Sequence, residues 1–462
     1  MPTSALVAAL LLAGLAQAQA APAQPAAEPA SGGRLARRYV IEHIRLEGLA
    51  RTRASEVRRH LALAEGQLLD EQAVVLSRLQ LLRLGWFSRV ETRVERGSER
   101  GLVVLVFDLA ERNTLVVSDL VIGSTGPQSI YGGFGLSESN FLGRGLGLSG
   151  AFVYGGSPSG RPWDPARFAA RVAFLAPEAT FLRLPVLFGV SALALRGEEF
   201  ICTDPDCSLF QGRYGSAPRL RYERFGGELT VGIRPGPFQR ILVGYRGEHL
   251  EASTLAGEAG NAVGAIPRIR EGRSTLSALT ASYDRDTRDD LFFPSGGTRL
   301  AFSITFGSPK IGGDYEYSRY LLQLESDHAL PHGHGLRLLA TGGAVMGDAP
   351  FFERFYAADY AYFSIGPALG RALELNFSSD SRYDAYLAMV GAEYAIPLWT
   401  EGRFFHRGYV ALGARFVYSA ASANAGRTSL SSTPFSGDVA LRLDTPIGSF
   451  NLSLGYALDN FL

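Results

Sequence analysis

The chain has 462 residues, 45 basic against 45 acidic, and only 19% charged residues, below the ~25% usual in soluble domains. Zero net charge leaves no global field to recruit nucleic acid or an acidic substrate. After the first twenty positions no run of ~18 apolar residues occurs, which argues against membrane helices and leaves a closed β-barrel as the membrane solution for short alternating segments.

In chain order, the apolar run Ala5 to Leu15 and the small-residue pattern Ala18-Gln19-Ala20 predict a signal peptide over 1–20, cleaved after Ala20. Its n-region carries no Lys or Arg, so a start codon further upstream is the alternative. Residues 21–38 read as a disordered Pro/Ala/Gly linker. A small α+β module, β-α-α-β-β, follows over 39–111. Val40, Ile44 and Leu46 mark a first strand ended by Gly48, and Val57 and Leu61 lie on a helix from Ala54 to Leu63. Asp70 caps a second helix with an apolar stripe at Val75, Leu79 and Leu82, which Gly85 stops. Val90 to Val94 and Leu102 to Leu109 supply two further strands.

The order of IRLEGLARTRASEV, LLRLGWFSRVETRV and GLVVLVFDLAERN in this module resembles a POTRA domain (polypeptide-transport-associated). That resemblance implies binding of extended segments at a sheet edge by β-augmentation. Plugging or anchoring whatever follows is the plainer role.

From 112 to 462 the chain alternates strands and turns, fifteen strands by our count. In YDRDTRDDLFFPSGGTRLAFSITFG, residues 283–307, Tyr283 continues the outward row of Leu279 and Ala281. After the turn Leu300, Phe302, Ile304 and Phe306 face the same way, alternating with small or polar residues. Period-two alternation with a greasy and a wet face fits a transmembrane barrel. Pro294, Gly296 and Gly297 supply the turn, with Asp286 and Arg288 beside it. In the strand 240–251, Ile241, Val243 and Tyr245 face lipid, and Gly244, Arg246 and Glu248 face the lumen. Cys202 and Cys207 read as a loop disulfide in an oxidising compartment, two free thiols being the alternative.

GLSESNFLGRGLGLSG at 135–150, DTRDDLFFPSGGTRL at 286–300 and RLDTPIGSFNLSLGY at 442–456 resemble the BamA/TamA outer-membrane assembly superfamily. The resemblance implies an all-β barrel of about 16 antiparallel strands in the outer membrane, with the POTRA domain in the periplasm. A strand overlooked within 346–383 or at 113–124, or a missing terminal strand, would reconcile fifteen with sixteen. The family also carries an Arg-Gly-aromatic tip on its long sixth outer loop, paired with an inward aspartate. Here the loop from Pro350 to Asp380 has no such tip, and Arg371 is the nearest arginine. Alternation puts Ala411 where the aspartate belongs. Arg415 with Asp359 or Glu374 is the substitute this sequence offers.

The acidic and basic residues around Asp286 and Arg288 read as solvated turn chemistry rather than a cation site. Phe351, Phe352, Trp399 and Phe405 read as interfacial girdle residues. We find no catalytic, cofactor or metal motif. The reading is a non-enzymatic insertion or translocation factor whose POTRA binds clients and whose barrel opens at the seam between first and last strands. Its partners are unfolded outer-membrane or secreted polypeptides, the lipid bilayer, and periplasmic or lipoprotein accessory factors; nucleic acid is not among them. The rival is a passive pore or structural surface barrel, favoured by the altered loop.

Overall fold

The computed structural model describes residues 39–123, 131–155, 167–181, 184–200, 219–255, 269–289, 294–355, 384–399, 402, 405, 407–420, 435–445 and 448–458. The predicted signal peptide and linker lie outside these residues, as do Cys202 and Cys207.

The N-terminal module comprises β1 (Val40–Glu47), α1 (Ala54–Arg59), α2 (Glu71–Arg83), β2 (Phe87–Arg96) and β3 (Leu102–Glu111). Its sheet order is β1-β3-β2, with β1 parallel and β2 antiparallel to β3. The two helices cover one face, over a core that includes Ile41, Val57, Leu81, Trp86 and Phe107. Asp70 caps α2 through its carboxylate, which accepts from the Gln72 N–H at 3.0 Å. Gly85 follows the helix at φ +70°, a conformation glycine reaches without a Cβ clash.

Two helix expectations need correction. α1 stops at Arg59, because the Ala62 N–H that would extend the helix donates instead to Ser77 Oγ at 2.8 Å. The core face of α2 is Ser77 and Leu81, with Val74 partly buried beside them. Val75 and Leu79, expected inside, are 57% and 36% exposed. The helix has two apolar stripes, and periodicity alone does not choose between them.

The two sheet edges also differ. Along β1, the Ile41 N–H donates to the Gln67 carbonyl, the Gly66 N–H donates to the Ile41 carbonyl, the Ile44 N–H donates to Glu65, and Arg58 donates to the Ile44 carbonyl. Along β2, Arg78 Nε donates to the Val90 carbonyl at 2.9 Å. Antiparallel alternation then turns the backbone groups of Thr92 and Val94 away from β3, toward the open side.

Among the described residues the barrel wall is a fifteen-stranded sheet of consecutive neighbours. It runs through β4 (Leu115–Gly123), β5 (Tyr131–Phe141), β6 (Leu146–Gly155), β7 (Arg167–Phe181), β8 (Leu184–Phe200), β9 (Arg219–Gly236) and β10 (Gln239–Leu255). Next come β11 (Gly272–Asp286), β12 (Gly297–Gly307), β13 (Tyr317–Ala329), β14 (Gly335–Gly347) and β15 (Tyr386–Trp399). Last are β16 (Arg407–Ala420), β17 (Phe435–Thr445) and β18 (Gly448–Leu458). Every counted strand has its counterpart here, and residues 113–124 yield one strand, not two.

All strand pairings in the wall among the described residues are antiparallel, so β4 and β18 run the same way. They lie side by side, but among the described residues no ladder joins them. Because β4 leaves the N-terminal module, the β5–β6, β9–β10 and β11–β12 turns lie on the module side. The long connection between β14 and β15 lies at the far end. The hairpin of β11 and β12 keeps the predicted outward face, with Leu279 opposite Phe306, Ala281 opposite Ile304 and Tyr283 opposite Phe302. On β10, Ile241, Val243 and Tyr245 are exposed and Glu248 is buried, which is the expected lipid and lumen alternation.

Candidate functional site

At the far end of the barrel the root of the long connection, Pro350 to Phe355, folds into the lumen. Phe351 is 1% exposed and meets the Tyr222 ring edge-on at 5.0 Å. Phe352 lies under the Arg224 guanidinium, 3.9 Å from ring centroid to Cζ. Arg224 is bonded to Glu248 at 2.8 and 3.0 Å, and both side chains are sealed from solvent. Glu353 pairs with Arg246 on β10, and Phe355 exchanges backbone hydrogen bonds with Asp384.

Around this root the inward faces of two wall sectors form apolar clusters. One contains Leu276, Tyr317, Val345 and Met389; the other contains Val153, Leu195 and Tyr222. Phe352 packs against both. Gly197 and Gly343 leave room for the rings of Tyr222 and Phe355, which a Cβ would strike. Among the described residues this end of the lumen carries packed apolar clusters.

The module end of the wall is ionic. Arg288 turns back on Asp286 at 2.9 Å and reaches Glu325 at 3.0 Å. Arg337 joins Glu325, Asp327 and Glu393 at 3.0, 2.8 and 3.5 Å. Arg442 bonds Glu393 at 2.5 Å. Arg415 pairs with Asp438 on β17 and stands 3.9 Å from Glu393. The ladder therefore crosses from β11 to β17. Losing one partner of a buried pair costs ~3–5 kcal/mol, and sharing each carboxylate among several arginines spreads that risk.

The N-terminal module is bolted to the same end. The Trp86 indole donates to the Ser139 carbonyl at 3.0 Å, and Asn140 Nδ2 donates to Thr52 Oγ1 at 2.8 Å. Arg83 donates to the Asp286 carbonyl at 2.6 Å, while its guanidinium lies 4.9 Å from the Phe238 ring. Arg112 faces Asp444 at 3.8 Å. His60 packs edge-on against Trp86, 5.5 Å between centroids. Burial, then the charges of Arg234 and Arg59, push its pKa down to about 4. Glu111 is raised by burial, but donors from Thr52 and Arg51 outweigh that and hold it below the usual carboxylate range.

Several expectations change. Asp286 and Arg288 are 8% and 7% exposed, so they are not solvated turn charges but members of the lumenal ladder. Asp289 is the residue that closes the turn, accepting from the Ser295 and Gly296 N–H groups. Gly297 holds φ +111° where a Cβ would crowd Arg288, while Gly296 and Pro294 sit in the same turn. Phe351 and Phe352 are lumenal, not girdle, whereas Trp399 and Phe405 are exposed at a module-side turn.

Ala411 is fully buried on the inward face of β16. The inward acid on this side is Asp438, one strand away and opposite Gly413. Arg371, Asp359 and Glu374 lie outside the described residues, so the partners the structure gives Arg415 are wall residues. Sequence reading missed Glu353, Asp438, Trp86 and Arg83. The inward parity of Arg246 and Glu248 was the one signal pointing toward the Glu353 contact.

Residues 140–460 match the Omp85 superfamily domain, and residues 39–112 match the POTRA family described as surface antigen variable number repeat. The chain belongs to the Omp85 superfamily: an outer-membrane β-barrel with one periplasmic POTRA domain. It is 26% identical over 329 residues to outer membrane protein assembly factor BamA of Nitratidesulfovibrio vulgaris, covering 68% of this chain and 36% of that protein. The chain thus spans about a third of that relative's length. CdiB from Escherichia coli aligns over 95% of this chain and 89% of its own, with TM-score 0.53 and 11% identity. CdiB from Acinetobacter baumannii aligns over 92% and 71%, with TM-score 0.50 and 12% identity. Both share the fold.

Proposed function

We propose that this protein is a non-enzymatic factor for outer-membrane assembly or translocation of polypeptides, whose POTRA domain takes extended clients along the β2 edge. The observation that carries the reading is the asymmetry of the two POTRA edges. β1 is covered by the 65–69 segment and Arg58, whereas β2 turns Thr92 and Val94 outward. On α2, Val75 and Leu79 lie within about a quarter turn of Arg78, which itself bonds the β2 edge. An incoming strand would find backbone partners on β2 and apolar seats on α2.

Clients are unfolded outer-membrane or secreted polypeptides, and accessory periplasmic proteins or lipoproteins deliver them. The unjoined seam between β4 and β18 is where the wall would open, since an unpaired edge in lipid costs several kcal/mol and seeks a strand. Lumenal roles for Arg371, Asp359 and Glu374 belong to the same proposal. The packed outer lumen weighs against the passive-pore reading.

The test uses the full chain and a fluorescent peptide with the β18 sequence GSFNLSLGYAL. Thr92→Pro removes an outward N–H and no ladder bond to β3, and should weaken binding at least tenfold. Unchanged binding, or unchanged levels of other barrel proteins after depletion in cells, would sink the proposal.

A further inference from the structure

The β5–β6 turn carries an exposed leucine that the fold holds in an unfavourable conformation. Leu142 has φ +59° and is 66% exposed, although the left-handed region favours glycine over any L side chain. POTRA contacts fix the turn there. The Arg53 N–H donates to the Gly143 carbonyl at 3.0 Å, and Asn140 grips both Thr52 and the Gly145 N–H at 2.8 Å. A Cβ at Gly145 would strike the Trp86 ring at 2.8 Å. None of these contacts covers the leucine.

What lies beside it indicates what does. Phe141 is the cross-strand partner of Leu146, so it shares the face of Leu148, Phe152 and Tyr154, all exposed to lipid. Leu142 therefore stands one residue beyond the lipid-facing stripe, on the periplasmic side. Arg53 and Arg144 flank it, both exposed, and among the described residues neither guanidinium has an ion-pair partner.

We propose that this turn is a membrane-interface anchor. Leu142 and Phe141 enter the periplasmic leaflet of the outer membrane, and Arg53 and Arg144 take phospholipid phosphates at its surface. The apolar seat is continuous with the barrel's own lipid contact, and cationic side chains at that depth suit head-group phosphates. Because the same turn is clamped by Thr52, Arg53 and Trp86, lipid and POTRA hold one element between them. The anchor keeps the domain at the bilayer surface beside β4, one edge of the unjoined seam.

The test places nitroxides at Leu142→Cys, Arg144→Cys, Leu148→Cys and Leu68→Cys in the full chain, with Cys202 and Cys207 replaced by serine. The protein sits in vesicles of phosphatidylethanolamine and phosphatidylglycerol, with no other protein present. The label at 142 should be shielded from an aqueous nickel chelate and open to oxygen, as at the lipid-facing 148. The label at 144 should be intermediate, and that at 68, on the POTRA domain, open to nickel. A 142 label as open to nickel as the 68 label overturns the proposal and leaves the leucine to a protein partner. Should Leu142→Cys not fold, Phe141→Cys carries the same expectation. Arg53→Glu with Arg144→Glu should raise nickel access at 142 several-fold; no change would overturn the phosphate role.

Discussion

At the outer end of the lumen, Phe351, Phe352 and Phe355 from a loop root pack against inward faces of the wall, and the Arg224–Glu248 pair is sealed beneath an aromatic ring. At the periplasmic end, arginines and carboxylates from β11 to β17 share partners in a ladder, and a separate domain is bolted on through polar contacts. The outer end depends on shape: its glycines face rings that admit no Cβ, and such packing is lost all at once when a piece is removed. The inner end depends on charges with several partners each, so it can exchange one contact for another. The two ends of the lumen are thus held by different forces, apolar packing outside and shared charges inside.

The largest expected effect is on the outer end. Phe351→Ala should cost ~3–5 kcal/mol in urea unfolding from lipid vesicles, and single-channel recording should show conductance that the parent lacks. If stability falls while the channel stays silent, the loop root packs without sealing, and the contrast between the two ends is wrong.

A smaller effect is expected at the domain junction. Arg83→Met keeps the apolar stem but removes the bond to the Asp286 carbonyl and the stack on Phe238. Losing a charged hydrogen bond should weaken docking by about 1.5–3 kcal/mol. Hydrogen exchange should rise at the β11–β12 turn and stay constant at Phe351. Equal changes at both sites would mean that the two ends are one cooperative unit.

The most diagnostic effect is on pH dependence. The His60 pKa is about 4 in the folded protein against an ordinary value of 6.5, so the unfolded chain takes up the proton first as pH falls. Its stabilisation is complete above pH 6.5, erodes by about 1.4 kcal/mol per pH unit below that, and is gone near pH 4. His60→Gln should flatten that part of the POTRA unfolding profile between pH 6.5 and 4. An unchanged slope would show that the carboxylates alone set acid sensitivity.

Much of the architecture could be read from the chain because β alternation is local. Ile241, Val243 and Tyr245 declare a lipid face whatever surrounds them, and all fifteen counted strands recur in the wall. The site was far less legible. PFFERFY looks like interfacial aromatics, since a run of rings at a strand end is compatible with a girdle or a plug. Asp286 and Arg288 look like solvated turn charges because their partner Glu325 is on another strand. The α2 stripe was misjudged because two apolar stripes share one helix, and only the sheet beneath decides which is buried.

The sequence by itself determined that this is a membrane barrel, which strands build it and, for strands such as β10 and β12, which face meets lipid. Those properties follow from a two-residue period and from turn residues, which act over a few positions. Tertiary structure alone decided that Glu353 meets Arg246, that Asp438 on β17 pairs with Arg415, and that Trp86 and Arg83 tie the module to the rim. The contacts of Glu353, Trp86 and Arg83 join segments far apart in the chain, and the curvature of the wall and the docking of the module, not local pattern, bring them together.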